Sequence, residues 1–261
     1  MSWNGKQFYW HLTTRRFGRE FRFLEETDST NRWLRDNISE FHLSGSVVVA
    51  GHQTSGRGRY SRVWDDRANQ ALLCSVLLKL KGLPERPGLL SMLPAIALAR
   101  VVVGHDSTAA VRLKWPNDVL IGGKKVAGVL AEATKHGDDH VIIVGVGVNV
   151  NGVPETAGQK STVPGSLLQE TSWKADRESV LAALLNEWEE LFDMYLEGEY
   201  EALRMAWEEH GPDRGAVLVR SEGNERIEGE YCGIGSNGQL LLRDASGVLR
   251  ETYSGDVTVG L

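Results

Sequence analysis

Residues 110–150 read "AVRLKWPNDVLIGGKKVAGVLAEATKHGDDHVIIVGVGVNV". Runs rich in β-branched residues at 110–115, 118–134 and 140–150 are broken by Pro116-Asn117, by Gly122-Gly123 and by the polar stretch "KHGDDH" at 135–140. Glycine pairs and short polar clusters supply the backbone that tight hairpin turns need. The stretch therefore predicts successive strands folded back on one another, and the rest of the chain is read outward from them.

Toward the N-terminus, "SVVVAGHQ" (46–53) and "ALLCSVLLKL" (71–80) predict buried strands. "DSTNRWLRDN" (28–37) starts with cap-forming residues and predicts a short helix. "GLLSMLPAIALARVVVG" (88–104) predicts a helix in which Pro94 lies early enough to be tolerated or to kink it. Toward the C-terminus, Asp176 caps an amphipathic helix with Val180, Leu184, Leu185, Trp188, Leu191, Phe192 and Tyr195 on one stripe, and "EYEALRMAWEEH" continues as a second helix. "HGPDRG" (210–215) then punctuates the chain. The short alternating strands beyond it predict a small antiparallel barrel, which divides the chain into residues 1–211 and 212–261.

At 261 residues the chain suits one large domain, or one domain with a smaller partner. Lys and Arg number 29 against 35 Asp and Glu, and a net charge of -6 argues against nucleic-acid binding by bulk charge. No apolar run approaches the ~20 residues of a membrane span, and the first residues lack a secretory core, so a cytoplasmic protein is expected. Cys74 and Cys232 stand far apart in apolar strand-like settings and read as buried reduced thiols, with no disulfide framework.

Two phosphate-loop strings fail on context. "GIGSNG" (233–238) precedes a strand where a dinucleotide site needs a helix, so it reads as a hairpin turn. "IGGKK" (121–125) lacks the first glycine and the Ser or Thr of a Walker loop. His136 and His140, with Asp138 and Asp139, read as a solvated turn rather than a metal site. Positive charge is local instead. "GHQTSGRGRYSRVW" (51–64) frames Arg57 and Arg59 with Gly56 and Gly58, and lysines flank "WPND" on both sides, which points to a small anionic partner. In "GVGVNVN" (145–151) the strand glycines mark close approach of a ligand or another backbone.

In this order "DSTN", "QTSGRGR", "KWPNDV", "KKVAGVLAE" and "GVGVNVN" closely resemble the catalytic domain of the biotin protein ligases, over roughly residues 12–261. The resemblance implies an α/β fold with a mixed sheet flanked by helices, related to class II aminoacyl-tRNA synthetases and lipoate ligases, and a C-terminal SH3-like barrel. It implies two steps: biotin and ATP, with Mg2+, give biotinyl-5'-AMP and pyrophosphate, and a lysine of a biotin carboxyl carrier protein domain then attacks the adenylate. The acceptor would belong to acetyl-CoA carboxylase, pyruvate carboxylase or both.

Two anions must meet in the first step, so cations already in place are needed to offset their repulsion. By resemblance, Arg57, Arg59 and Lys125 act on the biotin carboxylate and the α-phosphate, with Gly56 and Gly58 letting backbone amides approach. Ser29, Thr30, Asn31 and Gln53 would read the ureido ring, and Lys114, Asn117, Asp118 and Asn149 lie near the nucleotide. Along the pleat only one of Lys124 and Lys125 can enter the site, and the resemblance selects Lys125, with Ala127 and Gly128 leaving room for the ligand. No metal ligand is assigned, and "KSTVPGSL" (160–167) offers no aromatic residue against adenine.

Some relatives carry an N-terminal DNA-binding helix-turn-helix. Only 27 residues precede Asp28, so the monofunctional form without specific DNA binding is expected. A homodimer stays open. A lipoate or other acyl-adenylate ligase would share the chemistry, and a non-catalytic biotin sensor would share the pocket.

Overall fold

The computed structural model describes residues 3–137, 139–154 and 162–259. Asp138 of the predicted turn, and Lys160 and Ser161 of the 160–167 stretch, lie outside the described residues. In chain order the first elements are α1 (Gly5–His11), β1 (Phe21–Thr27), α2 (Thr30–Asp36), β2 (Ser46–Gln53), β3 (Ala71–Leu80) and α3 (Pro87–His105). They continue with β4 (Val111–Lys114), β5 (Asp118–Ile121), β6 (Lys124–His136) and β7 (Asp139–Asn149). After these come α4 (Leu167–Glu170), α5 (Arg177–Leu196), α6 (Tyr200–Glu208), β8 (Val217–Glu222), β9 (Glu225–Ile234), β10 (Leu240–Arg243), β11 (Leu249–Thr252) and β12 (Asp256–Val259).

The stretch at 110–150 folds as its glycines predict. β4 to β7 pair antiparallel in succession, and Gly122 and Gly123 turn the β5–β6 hairpin at φ values of 56° and 78°. These strands and the earlier ones form one seven-stranded sheet in the order β1-β2-β3-β7-β6-β5-β4. β1 runs parallel to β2 and every other pair is antiparallel, so the sheet is mixed.

Alternation along the central strands separates the two faces. On β3, Leu72, Cys74, Val76 and Leu78 enter the main core; on β7, Ile142, Val144, Val146 and Val148 do the same. The opposite face of β7 carries Gly145, Gly147 and Asn149, paired in register with Ser75, Leu73 and Ala71 of β3. One face is therefore packed with valine and leucine, and the other is hollowed by glycines. α2 lies on the hollowed face, where Leu34 joins Val48, Leu77, Val141 and Ile143 in a second, smaller cluster.

α3 and α5 cover the packed face. The predicted stripe of α5 is buried throughout, and Asp176 closes a capping box with Ser179. α3 is 19 residues long and apolar enough by length and composition to cross a membrane, contrary to the expectation that no run comes near that length. It packs on α5 and on β4, β5 and β6 instead, and 67% of its apolar window is buried within the protein. Cys74 is buried as expected, whereas Cys232 is half-exposed because its β9 side chain faces away from the core.

The C-terminal strands form a five-stranded antiparallel sheet in the order β11-β10-β9-β8-β12. Leu218, Tyr231, Ile234, Leu240, Leu242 and Val257 on it belong to the same apolar cluster as the main core. "GIGSNG" closes β9 with Gly233 and Ile234 and then forms the turn to β10, where the Gly238 carbonyl accepts a 2.9 Å hydrogen bond from the buried Trp115 indole.

Candidate active site

A cavity of about 590 Å³ opens on the hollowed face, a volume within the usual range for small ligands. It is lined by Ser29, Thr30, Asn31, Gln53, Arg57, Gly58, Arg59, Lys114, Asn117, Asp118, Lys125, Gly128 and Asn149 from the predicted set. Of that set only Gly56 stays outside its lining, at the wall of a neighbouring cavity on the other side of the arginine loop. Arg62, Trp64, Asp65, Thr162 and Asp256 line the cavity too, and none of them was predicted.

One end is cationic. Lys125 Nζ lies 2.6 Å from Asp118 Oδ1 and sits over the Trp64 ring at 5.6 Å from its centroid. Lys124, its neighbour, points outward to Glu170 at 2.8 Å. Lys114 Nζ donates to Thr162 Oγ1 at 3.2 Å, and burial pushes its ammonium below the ordinary lysine value despite the opposing pull of Asp118. Among the lining residues, five cations stand against the carboxylates of Asp65, Asp118 and Asp256. An anionic ligand therefore enters a field already biased toward it.

The other end is neutral and densely hydrogen-bonded. Gln53 Oε1 accepts from the Thr30 backbone N–H at 2.7 Å, and the Thr30 hydroxyl oxygen lies 3.0 Å away from it. Asn31 donates through Nδ2 to Glu132 Oε2 at 2.7 Å and to the Leu130 carbonyl at 3.3 Å. Ser29 caps α2 by position, yet its side chain makes no capping bond, so its hydroxyl faces the cavity uncommitted. Asn117 and Asn149 hold the frame: their amides donate to the carbonyls of Val129 at 2.5 Å and Gly165 at 2.9 Å.

The strand glycines admit side chains of the protein itself. A Cβ on Gly145 would stand 2.5 Å from Asn31 Oδ1, and one on Gly147 would stand 2.4 Å from the Trp64 ring. Both are contacts that real Cβ atoms do not make, so any larger residue would displace the tryptophan or the asparagine. Gly128 likewise makes room for Trp64 and the Lys125 side chain, while Ala127 faces the main core and has no part in the cavity. The expectation that Ala127 opens space for a ligand fails because a bulge between Val119 and Leu120 shifts the register beside Lys125.

The arginine loop closes on itself. Trp64 N–H donates to the Gly56 carbonyl at 2.9 Å and Gly58 N–H to the Arg62 carbonyl at 2.7 Å, so the Gly58 amide is already bonded within the loop. The base of the loop is fixed by buried Asp66, which receives the Gln53 N–H at 3.4 Å and lies 3.0 Å from His52 Nδ1. Burial holds that carboxyl above the usual aspartate value. The outer side of the loop rests on the C-terminal sheet: Tyr60 Oη receives the Gly255 N–H at 2.7 Å and donates to Glu222 at 3.1 Å, and Arg62 pairs with Asp256. Arg59 stacks on Tyr60 and reaches the Gly255 carbonyl at 3.4 Å.

Residues 23–149, which carry every predicted site residue, match the model of the biotin/lipoate A/B protein ligase family. Over 95% of this chain and 77% of its own length, the bifunctional ligase/repressor BirA of Bacillus subtilis is 30% identical. The chain belongs to the biotin protein ligase family. The biotin--[acetyl-CoA-carboxylase] ligase of Paracoccus denitrificans is 32% identical across 86% of this chain and 94% of its own. Among solved structures, the biotin protein ligase from Aquifex aeolicus in complex with biotin and ATP superposes with a TM-score of 0.77 at 29% identity, covering 93% of this chain and 99% of that one. The mixed sheet, its flanking helices and a small C-terminal β unit are thus the fold of biotin protein ligases.

Of the residues outside the predicted set, Trp64 and Arg62 had a local signal, an aromatic and a third arginine within the loop's own stretch. Asp256 had none, because it arrives from almost 200 residues downstream of the loop it pairs with.

Proposed function

We propose that this chain activates biotin with ATP to biotinyl-5'-AMP and transfers it to a lysine of a biotin carboxyl carrier protein domain. The observation that carries the reading is the polarity of the cavity, with Lys125, Lys114 and the arginine loop at one end and the Thr30–Gln53 network at the other. A biotin carboxylate at the cationic end meets the α-phosphate of ATP, and the ureido ring reaches the neutral end. A lipoyl dithiolane has no N–H or C=O to offer that end, which favours biotin over lipoate.

In the first step a carboxylate oxygen attacks the α-phosphorus and pyrophosphate leaves. Lys125 and the loop arginines stabilise charge on the oxygens that converge there, and Trp64 covers the ligand's apolar middle. Asp118 holds the Lys125 ammonium in place, and Asn31, Asn117 and Asn149 serve as scaffold because their amides are committed to protein partners. Mg2+ accompanying ATP would supply screening of the leaving pyrophosphate. In the second step the acceptor amine attacks the mixed anhydride and AMP departs.

The acceptor belongs to acetyl-CoA carboxylase or a related carboxylase, and the reading includes no sequence-specific duplex binding. Incubating the purified chain with biotin, MgATP and an isolated carrier domain should give biotinylated carrier on a streptavidin blot. A carrier whose acceptor lysine is replaced should stay unlabelled. Equal labelling of both carriers would overturn the transfer step.

A further inference from the structure

Ser75 sits on β3, fully buried, directly across from Gly145 and behind the lining of the cavity. Its oxygen lies 2.6 Å from Asn31 Oδ1 and 2.7 Å from Thr30 Oγ1. A serine hydroxyl carries one proton, so it cannot donate to both neighbours. The orientation of Asn31 decides between them. Its two N–H bonds are spent on Leu130 and Glu132, so the atom facing Ser75 is the carboxamide oxygen, which has no proton of its own. Ser75 therefore donates to Asn31, and its contact with Thr30 needs the single Thr30 proton, for which Ser75 Oγ at 2.7 Å competes with Gln53 Oε1 at 3.0 Å.

That ordering reaches the cavity. When the nearer Ser75 oxygen takes that proton, Thr30 gives up its 3.0 Å bond to Gln53 Oε1 and turns bare lone pairs toward it. Gln53 Oε1 is itself fixed as an acceptor by the Thr30 backbone N–H. Two acceptors side by side repel until a donor is placed between them, while Gln53 Nε2 remains a donor. We propose that Ser75 is a specificity-determining positioning residue: it orients the Thr30 proton inward so that the neutral end of the cavity demands a ligand N–H donor. This rests on the biotin reading, whose cyclic urea supplies that N–H and a carbonyl for the Gln53 amide.

Without the Ser75 hydroxyl, Thr30 can turn its proton toward Gln53 or outward, and the demand for a donor is relaxed. The test compares equilibrium binding of biotin with that of a carbamate analogue in which one ureido N–H is replaced by oxygen, alongside the KM for ATP. The wild type should prefer biotin. Ser75→Ala should weaken biotin about tenfold, the scale of one buried hydrogen bond, while leaving the analogue and the KM for ATP nearly unchanged, so that the preference collapses. Glu132→Ala, at a partly exposed position, frees the Asn31 amide to rotate and should lower the preference in the same direction by less; it decides the matter where Ser75→Ala does not fold. A wild-type preference ratio in these variants, or an equal loss of biotin, analogue and ATP, would overturn the role of Ser75. Wild-type protein that binds no biotin would overturn the functional reading itself.

Discussion

At the scale of single residues, Lys124 and Lys125 show how strand geometry assigns chemistry. One points to Glu170 on the surface and the other into the cavity beside Asp118. Loss of a preorganised cation acting on a developing charge typically costs at least about a hundredfold in rate, so Lys125→Met should suppress biotin-dependent pyrophosphate release by that factor. Lys124→Met should stay near wild type, with circular dichroism confirming that both variants fold. A silent Lys125→Met beside an inactive Lys124→Met would reverse the assignment. The alternation rule made this pair legible in the sequence, but Ser75 was not, because nothing local distinguishes a buried strand serine that orders a network from one that merely fits. Its partners Thr30 and Asn31 come from α2, and Asn31 is oriented in turn by β6, so only the fold brings the network together.

At the scale of elements, the arginine loop is held by its contact with the C-terminal sheet as much as by its own hydrogen bonds. Tyr60 adopts a left-handed backbone (φ 55°, ψ 40°), an uncommon state for a non-glycine residue, and its hydroxyl is fixed by Gly255 and Glu222. The hydrogen bond from Arg62 holds the Asp256 carboxyl below its ordinary 3.8. A depressed folded value means that this contact is fully formed above about pH 3.8 and is lost as pH falls through the lower, folded value. Hydrogen exchange of residues 56–64, corrected for intrinsic rate, should show protection that is flat near neutrality and falls only in acid. Asp256→Asn should lower that protection near neutrality to the level the wild type reaches in acid, and remove the acid step. Unchanged protection in the variant would mean that the loop is ordered without the sheet. The loop's cations were readable from "GRGR", yet this support was hidden, since hairpin turns and glycine spacing report local pairing and say nothing of an ion pair spanning two units.

At the scale of the whole molecule, the packed and hollowed faces of one sheet divide the labour between stability and chemistry. Most strands and helices from α2 onward were legible because their periods of 2 and 3.6 are written in Val, Leu and Ala, whereas α1 and β1 were not read. The role of the glycines was only half legible: the sequence marks a close approach, and the fold shows that Asn31 and Trp64 make it. One apolar cluster includes both Trp188 of the larger unit and Leu240 of the C-terminal sheet. Cys74 borders both that cluster and the cavity, almost fully buried and with its thiol pushed up to about 12 by burial, so it is protected from alkylation in the folded protein. At pH 8, iodoacetamide should modify Cys232 and leave Cys74 intact until denaturant is added, as counted by mass spectrometry; two equally fast modifications would contradict the packing. The central claim, that the cavity joins a ureido-bearing acid to AMP, is tested most directly by exchange of labelled pyrophosphate into ATP with no carrier present. Exchange should depend on biotin and should not occur with lipoate, whereas exchange supported by lipoate, or absent with biotin, would contradict the account.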